Sequence, residues 1–431
     1  MVKRGILIII FIIGITWIFA AFFAVQSPPT QVNIQEGYII TNNSSNNNPP
    51  SSFYLSDKKL NQEFCGSSEC KFLHLYKVSE QESKAQIHLR QFAQMAQKLN
   101  RTLVLTNVGK SKIGSCLKYP LDYYYSLSSL QKMFPDLNFI TQKQFYKWAK
   151  LRKQNPSSRQ IIIKEDRKKS FHDIIEVQSR KFNLQRKLCS NEIKFNNINF
   201  YDLIIGGRYW TDYQKLNNLS NFIIENFKQF DDTEILLMEQ EFYYPLFANI
   251  TSSLEYAPHI INKAFTIIQN LQPFIAVQWR METGNPLNMP KCAEKLVTHL
   301  EELKKKYNTK NVYLATDYPL NNSFKSFSFH NIQHEYHGKA IDILKDKVDF
   351  LSWFNYTPTD QFGKKMHINE FAQSGIPGIL DKLVCSRAKI FLVAPPECRK
   401  KTSSYTSMII SERHFLMKAK VEGIENISSE W

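Results

Sequence analysis

Residues 274–317 read FIAVQWRMETGNPLNMPKCAEKLVTHLEELKKKYNTKNVYLATD. They open on an unbroken apolar run, Phe274–Val277, that ends in the polar Gln278. Cys292–Tyr307 then sets Leu296, Leu300 and Leu303 on one helical face. Asn311–Ala315 is a second short apolar run, closing on Thr316 and Asp317. Short runs bounded by polar residues read as buried strands, and the period of about 3.6 between them reads as a helix. A strand, a covering helix and a second strand predict a parallel sheet with helices on its faces. Ligands of such sheets bind beyond the carboxyl ends of the strands, so the residues just after each run matter most.

Working outward, the same alternation recurs. Strand-like runs lie at Lys71–Tyr76, Thr102–Thr106, Leu203–Ile205 (before Gly206 and Gly207), Ile235–Met238 and Lys389–Ala394. Helical spacing marks Lys84–Leu99, through Ile87, Phe92, Met95, Ala96 and Leu99, and also Ser404–Arg413. The body is too long for one small core, which predicts two α/β domains, 60–265 and 266–431, meeting near Tyr256–Phe274. No internal repeat is visible. Gln154–Lys181 is polar and basic and reads as a surface insertion, helical or loose.

Ahead of the body, Gly5–Val25 is apolar or small apart from Thr16. It is long enough to cross a hydrocarbon core of about 30 Å at about 1.5 Å per residue. Lys3 and Arg4 precede it, and a positive flank favours the cytoplasm. The expectation is a cytoplasmic tail 1–4, a transmembrane signal anchor 5–25 and a lumenal body in the Golgi or endoplasmic reticulum. The alternative is a cleaved signal peptide, against which the length of the run argues. Residues 26–59, rich in Asn, Ser and Pro, read as a flexible stem.

Two features fit a lumenal body. Sequons begin at Asn42, Asn43, Asn218, Asn249, Asn321, Asn355 and Asn426, and one at Asn100, just before the apolar run Leu103–Leu105, reads as too buried to carry a glycan. The seven cysteines all follow the apolar run. In an oxidising compartment they allow up to three disulfides and leave one thiol, with Cys65 and Cys70 close enough for a local loop. Their spacing fits no zinc site. The formal net charge of +16 comes from scattered basic residues. It is read as a solvated surface or a general attraction to anionic ligands, not as a nucleic-acid interface.

Four groups of residues could carry chemistry. Arg280 follows a strand end directly. Its guanidinium fork suits a diphosphate, or it pairs structurally with Glu282. Ser403, Ser404, Tyr405 and Thr406 open a helix, where hydroxyls and backbone N–H groups form an anion site or merely cap the helix. Glu80 and Glu82 lie in a strand-to-helix turn and are candidate general bases, or ordinary helix-start acids. Asp317 ends a strand, where it meets a nucleotide or simply terminates the run. There is no GxGxxG, P-loop, GxSxG or DxD pair. A bound diphosphate must then be neutralised by basic side chains and helix termini.

Together and in this order, several segments resemble the GDP-fucose protein O-fucosyltransferase superfamily. Ala93–Leu105 (AQMAQKLNRTLVL) is similar to its first helix and strand. Phe274–Glu282 (FIAVQWRME) is similar to its HxR strand end, Val312–Asp317 (VYLATD) to its next strand, and Ser403–Arg413 (SSYTSMIISER) to its C-terminal SSFT…RER segment. The resemblance runs from about Lys71 to Arg413, with a poorly matched middle. It implies a GT-B architecture, two Rossmann-like domains facing a cleft, and an inverting transfer that needs no metal or cofactor. It implies transfer of fucose, or a related sugar, from a GDP-sugar donor, GDP-fucose first, to a protein or glycan hydroxyl. By position, Arg280 would stabilise the departing diphosphate and Ser403–Thr406 would cradle phosphate and sugar. Asp317 and Gln278 would lie near the nucleotide, and Glu80, with Glu82 as competitor, would be the base. Three positions depart from the pattern. Gln278 replaces the family His, Lys389 an acidic residue, and Glu82-Ser83-Lys84 a Gly-Asn turn. These departures keep a second reading open, a non-catalytic membrane-anchored binding protein on the same fold.

Overall fold

The structure is a computed structural model of the chain. It describes residues 56–178, 184–191, 193–206, 213–241, 244–247, 253–282, 284–320, 332, 334–399 and 403–431. The expected tail, the apolar run 5–25 and the stem up to residue 55 lie outside the described residues. Among the described residues no helix is long and apolar enough to cross a membrane.

The first sheet holds β1 (Phe72–Val78), β2 (Thr102–Leu105), β3 (Phe139–Thr141), β4 (Ser157–Asp166), β5 (Asp173–Glu176), β6 (Asn196–Gly206) and β7 (Ile235–Gln240). Its order is β3-β2-β1-β7-β4-β6-β5, with all neighbours parallel except the edge pair β5–β6. The second sheet holds β8 (Phe274–Trp279), β9 (Asn311–Thr316), β10 (Phe350–Leu351), β11 (Ile390–Val393) and β12 (Ser429–Glu430). It runs β10-β9-β8-β11-β12 and is parallel throughout. In each sheet the order reverses beside the first strand, between β1 and β7 and between β8 and β11. Those reversals are the switch points where open α/β sheets leave a crevice.

The helices that matter for the site are α1 (Asp57–Cys65), α2 (Glu82–Lys98), α3 (Pro258–Leu271), α4 (Met289–Tyr307), α5 (Ile368–Ser374), α6 (Ile376–Ser386) and α7 (Ser404–Lys418). The quoted strand–helix–strand unit is β8–α4–β9. Every residue of β8 is buried. α4 buries Met289, Cys292, Ala293, Leu296 and Leu300 at helical spacing. Pro290 fits its first turn, where no N–H is needed, and Asn308 closes it in the left-handed region at φ 47°. One hydrophobic cluster runs through both sheets, from Leu73 and Phe92 to Phe274, Tyr313, Ile379 and Ile409. Residues 55–431 pack as one compact unit.

Several expectations are corrected. The end of the stem is helical, because α1 begins at Asp57 and Ser56 caps it by accepting from the Lys59 N–H at 3.4 Å. Gln154–Lys181 is no insertion. It contains β4, inside the sheet, and β5, at its edge. Ile161, Ile162 and Ile163 supply the core residues of β4. The basic character that hid this strand is neutralised laterally, Arg159 by Asp232 at 3.2 Å and Lys164 by Asp202 at 3.1 Å. Asn100 is exposed, at φ 48°, rather than sequestered. Asn426 is engaged instead. Its side-chain amide accepts from the Phe391 N–H at 2.9 Å and donates to the Phe391 carbonyl at 3.2 Å, extending the edge of β11. The cysteines pair as Cys65–Cys70, Cys116–Cys189 and Cys292–Cys398, and Cys385 stays a buried thiol.

Candidate functional site

The polar residues gather at the carboxyl ends of β8, β9 and β11. Gln278 is the penultimate residue of β8 and is buried. Its side-chain carbonyl accepts from the Thr406 hydroxyl at 2.9 Å. Thr406 lies in the first turn of α7. There Ser403 is the cap, accepting from the Thr406 N–H at 3.1 Å, and the two hydroxyl oxygens are 2.9 Å apart. The Ser403–Thr406 segment is thus a helix cap and, at the same time, the N-terminal pole of a helix beside the β8–β11 switch point. Ser404 is exposed there. Cys398, after β11, is tied to α4 by the Cys292–Cys398 disulfide and to β8 by the Trp279 indole, which donates to the Cys398 carbonyl at 3.2 Å.

Arg280 follows β8 and is partly exposed. Its guanidinium is paired with Glu282, Nε donating to Oε1 at 2.9 Å and Nη2 to the same oxygen. The structural alternative named for Arg280 is therefore present, without burying the group away from ligand. Asp317, after β9, acts on the turn rather than outward. Its carboxylate accepts from the Met281 N–H at 2.7 Å and the Glu282 N–H at 3.2 Å. It thereby sets the backbone between Arg280 and Glu282. Burial pushes Asp317 up to about 7, against the two backbone N–H groups, which lower it. Buried His337 adds a contact to the Met281 carbonyl at 3.3 Å.

The two acidic candidates separate. Glu80 lies between β1 and α2, half-buried, with no hydrogen-bond partner among the described residues. Burial raises its carboxyl above the usual range, and Lys84 opposes this. Glu82, only two residues on, is buried and fully engaged. Oε2 accepts from Lys382 Nζ at 2.6 Å, and Oε1 accepts from the Tyr256 hydroxyl at 2.9 Å and the Tyr125 hydroxyl at 3.0 Å. Burial first, and then the Glu82 charge, hold both hydroxyls well above their ordinary value, so they remain donors. With its lone pairs committed, Glu82 is a tie between α2 and α6, not a free proton acceptor.

Lys382, Tyr125 and Tyr256 are the residues that sequence reasoning passed over. Lys382 did leave a signal, as half of the only charged pair in the apolar run IPGILDKLVC. Two arginines in the quoted motifs are structural. Arg101 donates to the Phe230 and Thr233 carbonyls at 2.7 and 2.9 Å. Fully buried Arg413 donates to the Ala388 carbonyl at 2.7 Å and the Asn426 carbonyl at 2.6 Å. Lys389 immediately precedes β11, at the end of the sheet opposite the site, and donates to the Tyr307 carbonyl at 3.3 Å. Because parallel strands point their carboxyl ends at the crevice, a residue before β11 does not reach it. No group of His, Cys, Asp and Glu able to hold a metal ion occurs among the described residues.

The family model for GDP-fucose protein O-fucosyltransferase matches residues 85–416, which spans all of β8, β9 and β11 and the start of α7. The chain belongs to the GDP-fucose protein O-fucosyltransferase family. Its family is one of glycosyltransferases. No curated protein matches the chain by sequence. Similar solved structures include POFUT1 in complex with GDP-fucose, at 13% identity over 84% of this chain and 97% of that one, with a TM-score of 0.43. POFUT1 in complex with GDP is 13% identical over 84% and 98%, with a TM-score of 0.44. Fucosyltransferase NodZ from Bradyrhizobium is 10% identical over 79% and 92%, with a TM-score of 0.35. As an O-fucosyltransferase family member, the chain brings Phe274–Glu282, Val312–Asp317 and Ser403–Thr406 to the carboxyl end of the second sheet.

Proposed function

We propose that this protein transfers fucose from GDP-fucose to a protein or glycan hydroxyl, with inversion and without a metal ion. The observation that carries the reading is the convergence of Arg280, Gln278 and the N-terminus of α7 at the β8–β11 switch point. In this reading the GDP diphosphate lies against the α7 terminus, where unpaired N–H groups and the helix dipole favour negative charge. Arg280 exchanges its Glu282 partner for the diphosphate, and Asp317 keeps the Arg280 turn in place. The acceptor binds across the cleft towards β1. Its hydroxyl gives its proton to Glu80 and attacks the sugar C1 from the face opposite GDP. The C1–O bond to the diphosphate breaks, and the departing GDP keeps the bonding electron pair. Glu80 suits the base because no hydrogen-bond donor among the described residues occupies its carboxylate and burial raises its carboxyl above the usual range, with Lys84 opposing. Preorganised charge at the leaving group supplies a large catalytic term.

We also propose the type II membrane topology. The apolar run 5–25 behind Lys3 and Arg4 would hold the body in the lumen, and the sequons fit such a compartment. The three disulfides also suit an oxidising setting.

The purified chain, incubated with GDP-fucose in excess EDTA, is expected to release GDP slowly even without acceptor. Proton NMR of the early product should show the anomer opposite to that of the donor. Binding of GDP with no release under any acceptor would favour the binding-protein reading, and loss of release on chelation would remove the metal-independent mechanism.

Asp317 adds a pH prediction. Its value of about 7 lies above the ordinary carboxylate range, so it takes up a proton as the pH falls through neutrality. The protonated oxygen no longer accepts from the Arg280 turn, so GDP affinity should fall from about pH 8 to about pH 6. GDP itself loses charge over that span, so the comparison is with Asp317→Asn, whose affinity should be weaker throughout and flatter with pH. Parallel curves for the two proteins would contradict this role for Asp317.

A further inference from the structure

We propose that Lys382 is a positioning residue for the donor site, coupling the first sheet to the turn that carries Ser403–Thr406. The proposal rests on the GDP-binding reading above and adds a residue to it. Lys382 is 6% exposed, on α6. Its ammonium reaches Glu82 Oε2 at 2.6 Å and Ser83 Oγ at 3.5 Å, both in the first turn of α2. Two aromatic rings flank it, Tyr256 at 5.2 Å and Tyr405 at 5.9 Å to the centroid. Tyr405 is itself fixed along α6, its hydroxyl donating to the Gly378 carbonyl at 2.8 Å, one turn before Lys382. The next residue, Thr406, donates to Gln278 at 2.9 Å.

These contacts form an unbroken chain from α2 through Lys382 and Tyr405 to Gln278 at the end of β8. Glu82 and Lys382 are 300 residues apart in sequence. A buried ion pair is weak evidence for stability, since apolar replacements are often neutral. Its better-attested use is to fix one arrangement of the elements it joins. Here the pair joins α2, the helix that follows β1 beside Glu80, to α6, and Tyr405 carries the contact on to the α7 terminus that faces the leaving group. The pair would keep acceptor side and donor side in register.

Removing one partner tests stability, and removing both tests position. Lys382→Met leaves the buried Glu82 carboxylate without its counter-ion, so its Tm should fall by roughly 5–10 °C and its GDP affinity by about tenfold or more. Glu82→Gln with Lys382→Met removes both charges. Its Tm should recover most of that loss, whereas its GDP affinity stays about tenfold below the parent. Recovery of GDP affinity together with Tm would overturn the proposal and leave a purely structural pair. Failure of the parent chain to bind GDP would refute the donor reading, and amide exchange on the same double variant then decides the coupling. Loss of protection in residues 404–408 as well as 82–86 supports it, and loss confined to 82–86 overturns it.

Discussion

Replacing Arg280 by Ala is expected to lower GDP release from GDP-fucose by about 10²–10³-fold, the usual effect of deleting a preorganised charge at a leaving group. The guanidinium is placed for this by three features. It follows β8 directly, at the switch point of the second sheet. The backbone around it is held by Asp317 through the Met281 and Glu282 N–H groups. Its side chain is 36% exposed, so a ligand can displace Glu282, which now holds it. Partial exposure also means that the substitution should leave the fold intact, which a thermal melt would confirm. Arg280→Lys should fall between the two, because a lysine keeps the charge but not the planar fork. The measurement is single-turnover GDP release, and an Arg280→Ala rate within about threefold of the parent would contradict the assignment.

Gly375→Ala should destabilise the body by about 2–5 kcal/mol, from two independent costs. Gly375 links α5 to α6 at φ 91°, in the left-handed region that a side chain resists. A Cβ there would also overlap the Tyr124 hydroxyl and the backbone N of Ser111. The second obstacle is main chain, which cannot swing aside like the end of a lysine. The same contact holds the Tyr124 hydroxyl between the Ser374 carbonyl, to which it donates, and the Ser111 N–H, from which it accepts at 3.1 Å. This seam joins the first sheet's loops to α6, so its loss should also loosen the Lys382 contact. Urea unfolding of the parent and variant would measure it, and a midpoint shift too small to resolve would refute the argument.

The parts of the fold that were legible are those whose pattern is local. β8, α4 and β9 announce themselves because an apolar run, a helical period and another apolar run follow in sequence. The placement of Gln278, Arg280 and Asp317 was legible for the same reason, since each sits where a run ends, and that of Ser403–Thr406 because it opens a helix. β4 was not legible. Only Ile161–Ile163 look like core, and its polar flanks are satisfied by partners on β6 and near β7 that no local pattern reveals. Gln160 shows the point, being fully buried with its amide donating to the Tyr76 hydroxyl at 2.6 Å. Glu82 was the subtlest case. Two acids in one strand-to-helix turn look equivalent as sequence. The fold distinguishes them by delivering Lys382, Tyr125 and Tyr256 to Glu82, while Glu80 has only the nearby charge of Lys84 and no hydrogen-bond partner among the described residues. The Asn426 sequon is similar, because only the structure shows its amide spent on the edge of β11.

The most direct test of the account is calorimetric titration of the purified full chain with GDP in the presence of EDTA, with UDP as the comparison. The account predicts saturable binding of GDP in the micromolar range, about −8 kcal/mol, with no need for added metal and little or no heat from UDP. No binding of GDP, with or without a divalent metal, would contradict the donor site at the ends of β8 and β11.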